Sequence, residues 1–506
     1  MARSRHYWAM MVLLASSLGI TDVGAQGLWP LQTYKSSPAE TPFLNVTKLG
    51  QTEQGFLFFS PNDIVRGSGH PTIYSDDGQL IWQGPNQTTF AMQPQIFDGE
   101  PVVTYWEGTA GFGFGFGQIT IIDNTYQSIY NVTLSCKEQN FVTVFDPESL
   151  PSCVDVHESQ LTDNGTLLVT AVNITQADLS SVGGPIDGWV QDGLVYEIDV
   201  KTNEVLFRWS AVEHLAEAPL SYVIAPLGSE GAGSGNKSDP YGYAHINSIA
   251  KYGENYLVSS RYMCSVFLLA PNGSVIWHLH GRYGGDFHLE LGTSFCYQHD
   301  VRIIAATAER VTLSMHNNDN TEFTGATYVT TGLVLDLALQ GNKTVSLGGR
   351  MWDAAESVYV QSQGGYQSLG NGHVLLGHGA VPKIEEFDAN GAIVMRARFG
   401  FDNTMQSYRA YRYPWVGHPS TVPDAVACLS AATGQATVYV SWNGATDVIS
   451  WNVYVNNTLT QSAPRNGFET AIAVPGLPSS ASVVVEAVGG VGNGTKSAPV
   501  VVGQRC

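Results

Sequence analysis

The sequence predicts an all-β protein, a β-propeller of about seven blades followed by a small fibronectin/Ig-like β-sandwich. Three observations predict it. Short runs of β-branched, leucine and aromatic residues alternate with tight-turn dipeptides along most of the chain. Helical periodicity is almost absent, and repeated meanders of this kind close most readily into blades around an axis. Near Pro419 the character changes to a compact set of short strands with the size and spacing of a sandwich domain.

Residues 1–25 read as a signal peptide. Arg3 and Arg5 precede an apolar run from Tyr7 to about Ile20, and Val23-Gly24-Ala25 offers the small residues a signal peptidase cuts after. The mature chain then starts near Gln26. No later segment approaches the roughly 20 apolar residues a membrane span needs. A secreted or secretory-lumen protein without a membrane span is expected.

Residues 26–420 carry the propeller signal. Asp77-Gly78 precedes Leu80-Ile81-Trp82, Asn164-Gly165 precedes Leu167-Leu168-Val169, and Asn272-Gly273 precedes Val275-Ile276-Trp277. The pattern returns at Asn371-Gly372 and Asn390-Gly391. Such pairs favour hairpin turns because Asn and Gly accept positive φ cheaply. Trp82, Trp209 and Trp277 are expected to pack between successive blades. Residues 424–506 form the sandwich, with strands at 436–442, 450–455 and 481–487.

The six mature cysteines, Cys136, Cys153, Cys264, Cys296, Cys428 and Cys506, permit 15 connectivities. Pairing each with its sequence neighbour is the expected arrangement, and closing the first short loop is worth about 3 kcal/mol in the chain-entropy account. Glycosylation sequons stand at Asn45, Asn86, Asn131, Asn164, Asn173, Asn236, Asn272, Asn342, Asn456 and Asn493. Both features suit an oxidising, extracytoplasmic setting.

Lys plus Arg number 24 against 44 for Asp plus Glu, a formal net charge of −20. With no basic cluster to neutralise phosphates, nucleic acid and anionic membrane are excluded as partners. A small aromatic or terpenoid molecule is expected instead.

Four histidine strings, Tyr243-Ala244-His245-Ile246-Asn247, Tyr297-Gln298-His299-Asp300, Met315-His316-Asn317-Asn318 and Gly377-His378-Gly379, lie beside predicted strand edges in different repeats. That is where a propeller gathers side chains around a central pocket. His245, His299, His316 and His378 are the candidate catalytic residues. Asn247, Asn318, Asp300, Arg261, Arg350 and Tyr411 are the candidate substrate contacts. Blander readings stand beside these: His299-Asp300 as a pair tying two blades, His245 and Asn247 as partners for buried backbone, and Arg409-Ala410-Tyr411-Arg412 as an interdomain hinge. His278, His280 and Arg282 read as a surface patch. The run from Gly111 to Gly117 lacks the lysine and helix of a phosphate loop, and reads as a pocket cover or relaxed strand. No set of side chains has metal-ligand spacing, so neither metal nor cofactor is expected.

His245-Ile246-Asn247-Ser248-Ile249, Ser259-Ser260-Arg261, Gln298-His299-Asp300, Asp319-Asn320 and Ser407-Tyr408-Arg409-Ala410-Tyr411-Arg412 together resemble the fungal arylsulfotransferase-like secreted proteins. The resemblance covers roughly residues 30–420 and extends to the trailing sandwich. It implies a propeller related to bacterial enzymes that move sulfate between phenols through a sulfated histidine, without a nucleotide donor. His316 and Asn318 are similar to the bacterial His-x-Asn pair. Some fungal members are similar to hetero-Diels-Alderases that join a tropolone-type quinone methide to a cyclic terpene alkene. The fungal pattern often carries an aromatic residue where His378 stands. Cycloaddition, which needs only binding, orientation and hydrogen-bond donation, is therefore the first expectation. Sulfuryl transfer through a histidine and a non-catalytic small-molecule-binding propeller are the alternatives.

Overall fold

The computed structural model describes residues 28–111, 113–321, 328–429, 435–478 and 480–503. The expected signal peptide and Cys506 lie outside these residues. The described chain is all-β apart from a few 3₁₀ turns.

Six sheets of four or more strands, antiparallel apart from a short parallel edge pairing in the third and the fifth, form the propeller, so the expected count of about seven is corrected to six among the described residues. In order around the ring their inner strands are Ala410–Tyr413, Thr89–Phe97, Ser159–Leu161, Ile246–Tyr252, His299–Ala306 and Gly365–Ser368. The ring is closed by exchange at both ends of the chain. Ala410–Tyr413 pairs with Phe56–Phe59 as the inner strand of the first blade, and Asn45–Lys48 pairs with Ile393–Arg398 as the outermost strand of the sixth. Arg409, Tyr411 and Arg412 therefore sit on or beside a closing strand, which replaces the hinge reading.

The apolar runs of the sequence follow from this geometry. A blade strand faces a neighbouring blade on each side, so Ser265–Leu269 is buried at every residue. In the sandwich one face meets solvent, and Ser482–Val488 alternates between buried and half-buried positions. The three tryptophans sit in clusters shared by adjacent blades: Trp82 with Met92 and Val103, Trp209 with Tyr243 and Ile249, and Trp277 with Val311 and Leu313.

The glycine-rich run forms a hairpin between strands Glu100–Gly111 and Phe114–Ile122. Gly117 is required there by space. A Cβ at that position would stand 2.1 Å from the Glu107 carbonyl and 2.8 Å from the Trp106 ring.

The sandwich pairs a sheet of Asp424–Leu429, Ala436–Ser441 and Glu469–Val474 with a sheet of Thr458–Pro464, Ser450–Val455, Ser482–Val488 and Val500–Val501. Trp451, Val438 and Val485 fill its core. It is tied to the propeller by Gln83 N donating to Asn443 Oδ1 at 2.9 Å and by Tyr126 Oη donating to the Gly444 carbonyl at 2.7 Å.

Cys136–Cys153 and Cys264–Cys296 are disulfides. Cys428 is also disulfide-bonded; its expected partner, Cys506, is outside the described residues. No helix among the described residues is long and apolar enough to cross a membrane.

Candidate functional site

A cavity of about 550 Å³ opens on the propeller axis. Its lining comes from the residues that lead into the inner strands, where six chains converge. Tyr408 precedes Ala410–Tyr413, His157 precedes Ser159–Leu161, His245 precedes Ile246–Tyr252, His299 opens His299–Ala306, and Gln363 precedes Gly365–Ser368. Phe90 and Phe114 come from the second blade, and Arg261 and Tyr262 from a turn of the fourth. A stretch from Gly228 to Ser234, with Asp239 and Pro240, covers part of the mouth.

Three side chains form a line into this cavity. Asp155 accepts the Gly115 amide on Oδ1 at 2.7 Å, and on Oδ2 it accepts the Thr170 hydroxyl at 2.9 Å and meets His157 Nδ1 at 2.5 Å. His157 Nε2 lies 3.0 Å from His245 Nε2. Both oxygens of Asp155 act as acceptors, so the proton on His157 sits on Nδ1 and its Nε2 is a lone pair. His245 then donates from Nε2, which leaves its Nδ1 as a lone pair. That nitrogen has no hydrogen-bond partner. Burial, reinforced by the neighbouring His157 and Arg261, holds His245 well below the usual imidazole range and keeps it neutral.

His299 lines the same cavity with both nitrogens engaged. Its Nε2 accepts the Gln363 amide at 3.0 Å, so Nδ1 carries the proton and donates to Asn318 Oδ1 at 2.9 Å. Asn318 is fixed in turn by donating to the Val360 and Gln363 carbonyls, each at 3.1 Å. Burial, with Arg261 nearby, also holds His299 well below the ordinary range. This ring orders the wall of the cavity and has no lone pair to spend on a substrate.

His316 and His378 are not among the cavity-lining residues. They are fully buried behind the Gln363-Gly364 loop, where a Cβ on Gly364 would come within 2.4 Å of the His316 ring. His316 Nε2 faces His378 Nδ1 at 3.2 Å, and His378 Nε2 meets Glu385 at 2.8 Å. Burial and His378 push His316 down to about 3.

Among the expected substrate contacts, Arg261 lines the cavity, stacked on Tyr297 with its guanidinium carbon 4.5 Å from the ring centre. Asn247 donates to the Gln298 carbonyl at 2.7 Å, away from the cavity. Asp300 accepts the Tyr366 amide at 3.0 Å and pairs with Arg302 at 2.9 Å, binding the fifth blade to the sixth. Tyr411 is buried on the closing strand, and Arg350 is exposed on an outer strand, where it donates to the Gly292 carbonyl. His278, stacked with Phe267 and Tyr222, and His280, edge-on to Tyr222, are buried in the fourth blade, which overturns the surface-patch reading.

The cavity also holds residues that sequence reasoning did not select. His157 is one; the Asp155-Val156-His157 spacing puts an acid and an imidazole on one side of an extended segment, which was the available signal. Tyr408 is the other. It is 3% exposed, its hydroxyl has no partner, and burial pushes the phenol up, so it remains a donor. Beneath the cavity Arg409 donates to Glu158 at 3.0 Å and to the Asn247 carbonyl at 2.9 Å, tying three blades together. Among the described residues no group of three His, Cys, Asp or Glu side chains is arranged to hold a metal ion.

The sequence model of the arylsulfotransferase (ASST) family matches residues 93–400. No curated protein matches the chain. Among solved structures, a catalytically inactive virginiamycin B lyase from Staphylococcus aureus with quinupristin is 10% identical, over 79% of this chain and 97% of that one, with a TM-score of 0.33. A GH43 protein from Bacillus licheniformis is 10% identical over 79% and 80%, TM-score 0.33. The acylaminoacyl peptidase of Pyrococcus horikoshii is 11% identical over 79% and 58%, TM-score 0.29.

Proposed function

The chain belongs to the arylsulfotransferase family, and we propose that it transfers a sulfuryl group from an aryl sulfate to a phenolic acceptor in the axial cavity, with His245 as the covalent acceptor. The observation that carries this is the unpartnered, buried Nδ1 of His245, on a neutral imidazole that lines the cavity, where the other lining imidazole, His299, has both nitrogens engaged. A neutral imidazole is the nucleophilic form. Arg261 and the Tyr408 hydroxyl supply positive charge and a hydrogen bond for the sulfuryl oxygens as the S–O bond lengthens. Phe90, Phe114 and Tyr262 give the aromatic rings of donor and acceptor an apolar wall. Of the four histidines expected to be catalytic, His245 is the one we assign to covalent transfer; His299 lines the cavity beside it, and His316 and His378 are not among the lining residues.

The test is release of nitrophenol from 4-nitrophenyl sulfate in the presence of a phenol, by wild type and by His245→Ala. The proposal expects transfer that the substitution removes.

The hetero-Diels-Alderase reading has its own support in the unpartnered Tyr408 hydroxyl, a donor of the kind a heterodiene carbonyl requires, beside the same aromatic wall. It predicts cycloadduct formation from a quinone-methide precursor and a cyclic sesquiterpene alkene, slowed by Tyr408→Phe and indifferent to a lone pair on His245. A protein that binds such aromatics without turning them over meets neither test. We place the enzyme in the secretory lumen or outside the cell, a location supported by its disulfides and by sequon asparagines that are exposed at every site but half-buried Asn173.

A further inference from the structure

We propose that Asp155 and His157 form a proton relay behind His245, fixing the tautomer that leaves Nδ1 unprotonated and taking up the Nε2 proton when Nδ1 becomes substituted. The argument starts from hydrogen-bond direction. A carboxylate already accepting from Gly115 and Thr170 has only lone pairs for His157 Nδ1, so that nitrogen must bring the proton. The single proton between the two Nε2 atoms, 3.0 Å apart, then belongs to His245. The polarity of the line runs from His245 toward Asp155, and reversing it would set a lone pair of His157 against a carboxylate.

The relay changes what His245 does as a nucleophile, and to that extent it rests on the sulfuryl-transfer reading. When Nδ1 forms a bond to sulfur, the S–O bond of the donor breaks and its electron pair leaves on the phenolate. The substituted ring carries positive charge in a buried site, where charge is costly. Moving the Nε2 proton to His157 neutralises the sulfoimidazole and creates a His157 imidazolium beside the Asp155 carboxylate, a favourable pair at 2.5 Å. In the second half the acceptor oxygen forms the new S–O bond, and the N–S pair returns to Nδ1. The proton returns from His157 to His245 Nε2, and the acceptor hydroxyl proton is taken up by the departed phenolate through solvent. Nothing is oxidised, and no further reactant is needed. His157 and Asp155 touch no substrate atom in this scheme and are positioning residues.

Asp155→Asn separates this from a packing role. The amide keeps the shape but presents N–H toward His157 Nδ1, moving its proton to Nε2 and driving the His245 proton onto Nδ1. The lone pair on His245 Nδ1 is lost. Full-length protein is treated with diethyl pyrocarbonate, and acylation of His245 is followed by peptide mass. We expect Asp155→Asn to slow acylation by about 10-fold or more, with kcat falling and KM for 4-nitrophenyl sulfate little changed, as for other wrong-tautomer substitutions. Acylation at the wild-type rate in a folded variant would overturn the relay. His157→Gln provides the second arm. Its amide oxygen can accept the His245 proton but cannot store it, so acylation should persist while kcat drops about 100-fold; an unchanged kcat would overturn the proposal. If wild type transfers no sulfuryl group at all, the sulfuryl-transfer reading fails while the acylation ratio still decides the relay.

Discussion

The backbone amide of Gln363 donates to Nε2 of His299 at 3.0 Å, which takes the lone pair of a cavity-lining imidazole out of chemistry. This relationship separates two histidines whose sequence settings look alike. His299→Gln is expected to lower turnover by about 10-fold through disorder of the cavity wall, whereas His245→Ala should abolish covalent transfer. Steady-state kinetics on both variants checks this, and equal losses would contradict the division of roles.

Stability should fall as the pH drops below the unfolded imidazole range of about 6.5. His70, His245, His278, His280, His299 and His316 are all depressed, chiefly by burial, with His278 and His280 at about 4 and His316 at about 3. The unfolded chain therefore binds more protons than the folded one through this window, so acid favours unfolding. Asp192, pushed up to about 6 by burial, and Asp424, also raised by burial, act in the opposite sense. Urea midpoints at pH 7.5 and pH 5 should show a clear decrease, and an unchanged or higher midpoint at pH 5 would contradict the protonation states assigned.

Arg409→Ala should cost about 3–5 kcal/mol, because it removes one of the two guanidinium partners of buried Glu158, leaving Arg302 alone, and strips the buried His157 and Asn247 carbonyls of a donor. Arg398→Ala, which removes a partly exposed pairing with Asp402, should cost about 1 kcal/mol or less. Chemical denaturation of the two variants measures the contrast, and similar values would show that the buried network does not clamp the inner strands.

Trp277→Ala should lose about 3–5 kcal/mol through a cavity between the fourth and fifth blades. Calorimetry checks it. A loss below about 1 kcal/mol would mean that the blades repack around the gap.

The strands and turns were legible because hairpins announce themselves locally, and Asn272-Gly273 before Val275-Ile276-Trp277 needs no long-range information. The blade number was not legible. The first blade joins Phe56–Phe59 to Ala410–Tyr413 and the sixth recruits Asn45–Lys48, pairings across more than three hundred residues that no repeat pattern encodes. Two of the histidine strings converge in space, since His245 and His299 line one cavity. They did not tell a lining imidazole from one a layer deeper, because His316 and His299 are opposite partners on adjacent strands and only the Gln363-Gly364 loop decides which is covered. His157 was missed because it lies in irregular backbone ahead of a three-residue strand, where no periodicity draws attention to Asp155-Val156-His157.

The most direct measurement is peptide mass spectrometry of the protein quenched during turnover of 4-nitrophenyl sulfate. Sulfuryl transfer through the unpartnered imidazole nitrogen predicts a sulfo group on His245, its amount following the burst of nitrophenol. A sulfo group on His316 or His378 instead, or nitrophenol release with His245 unmodified and His245→Ala fully active, would contradict it.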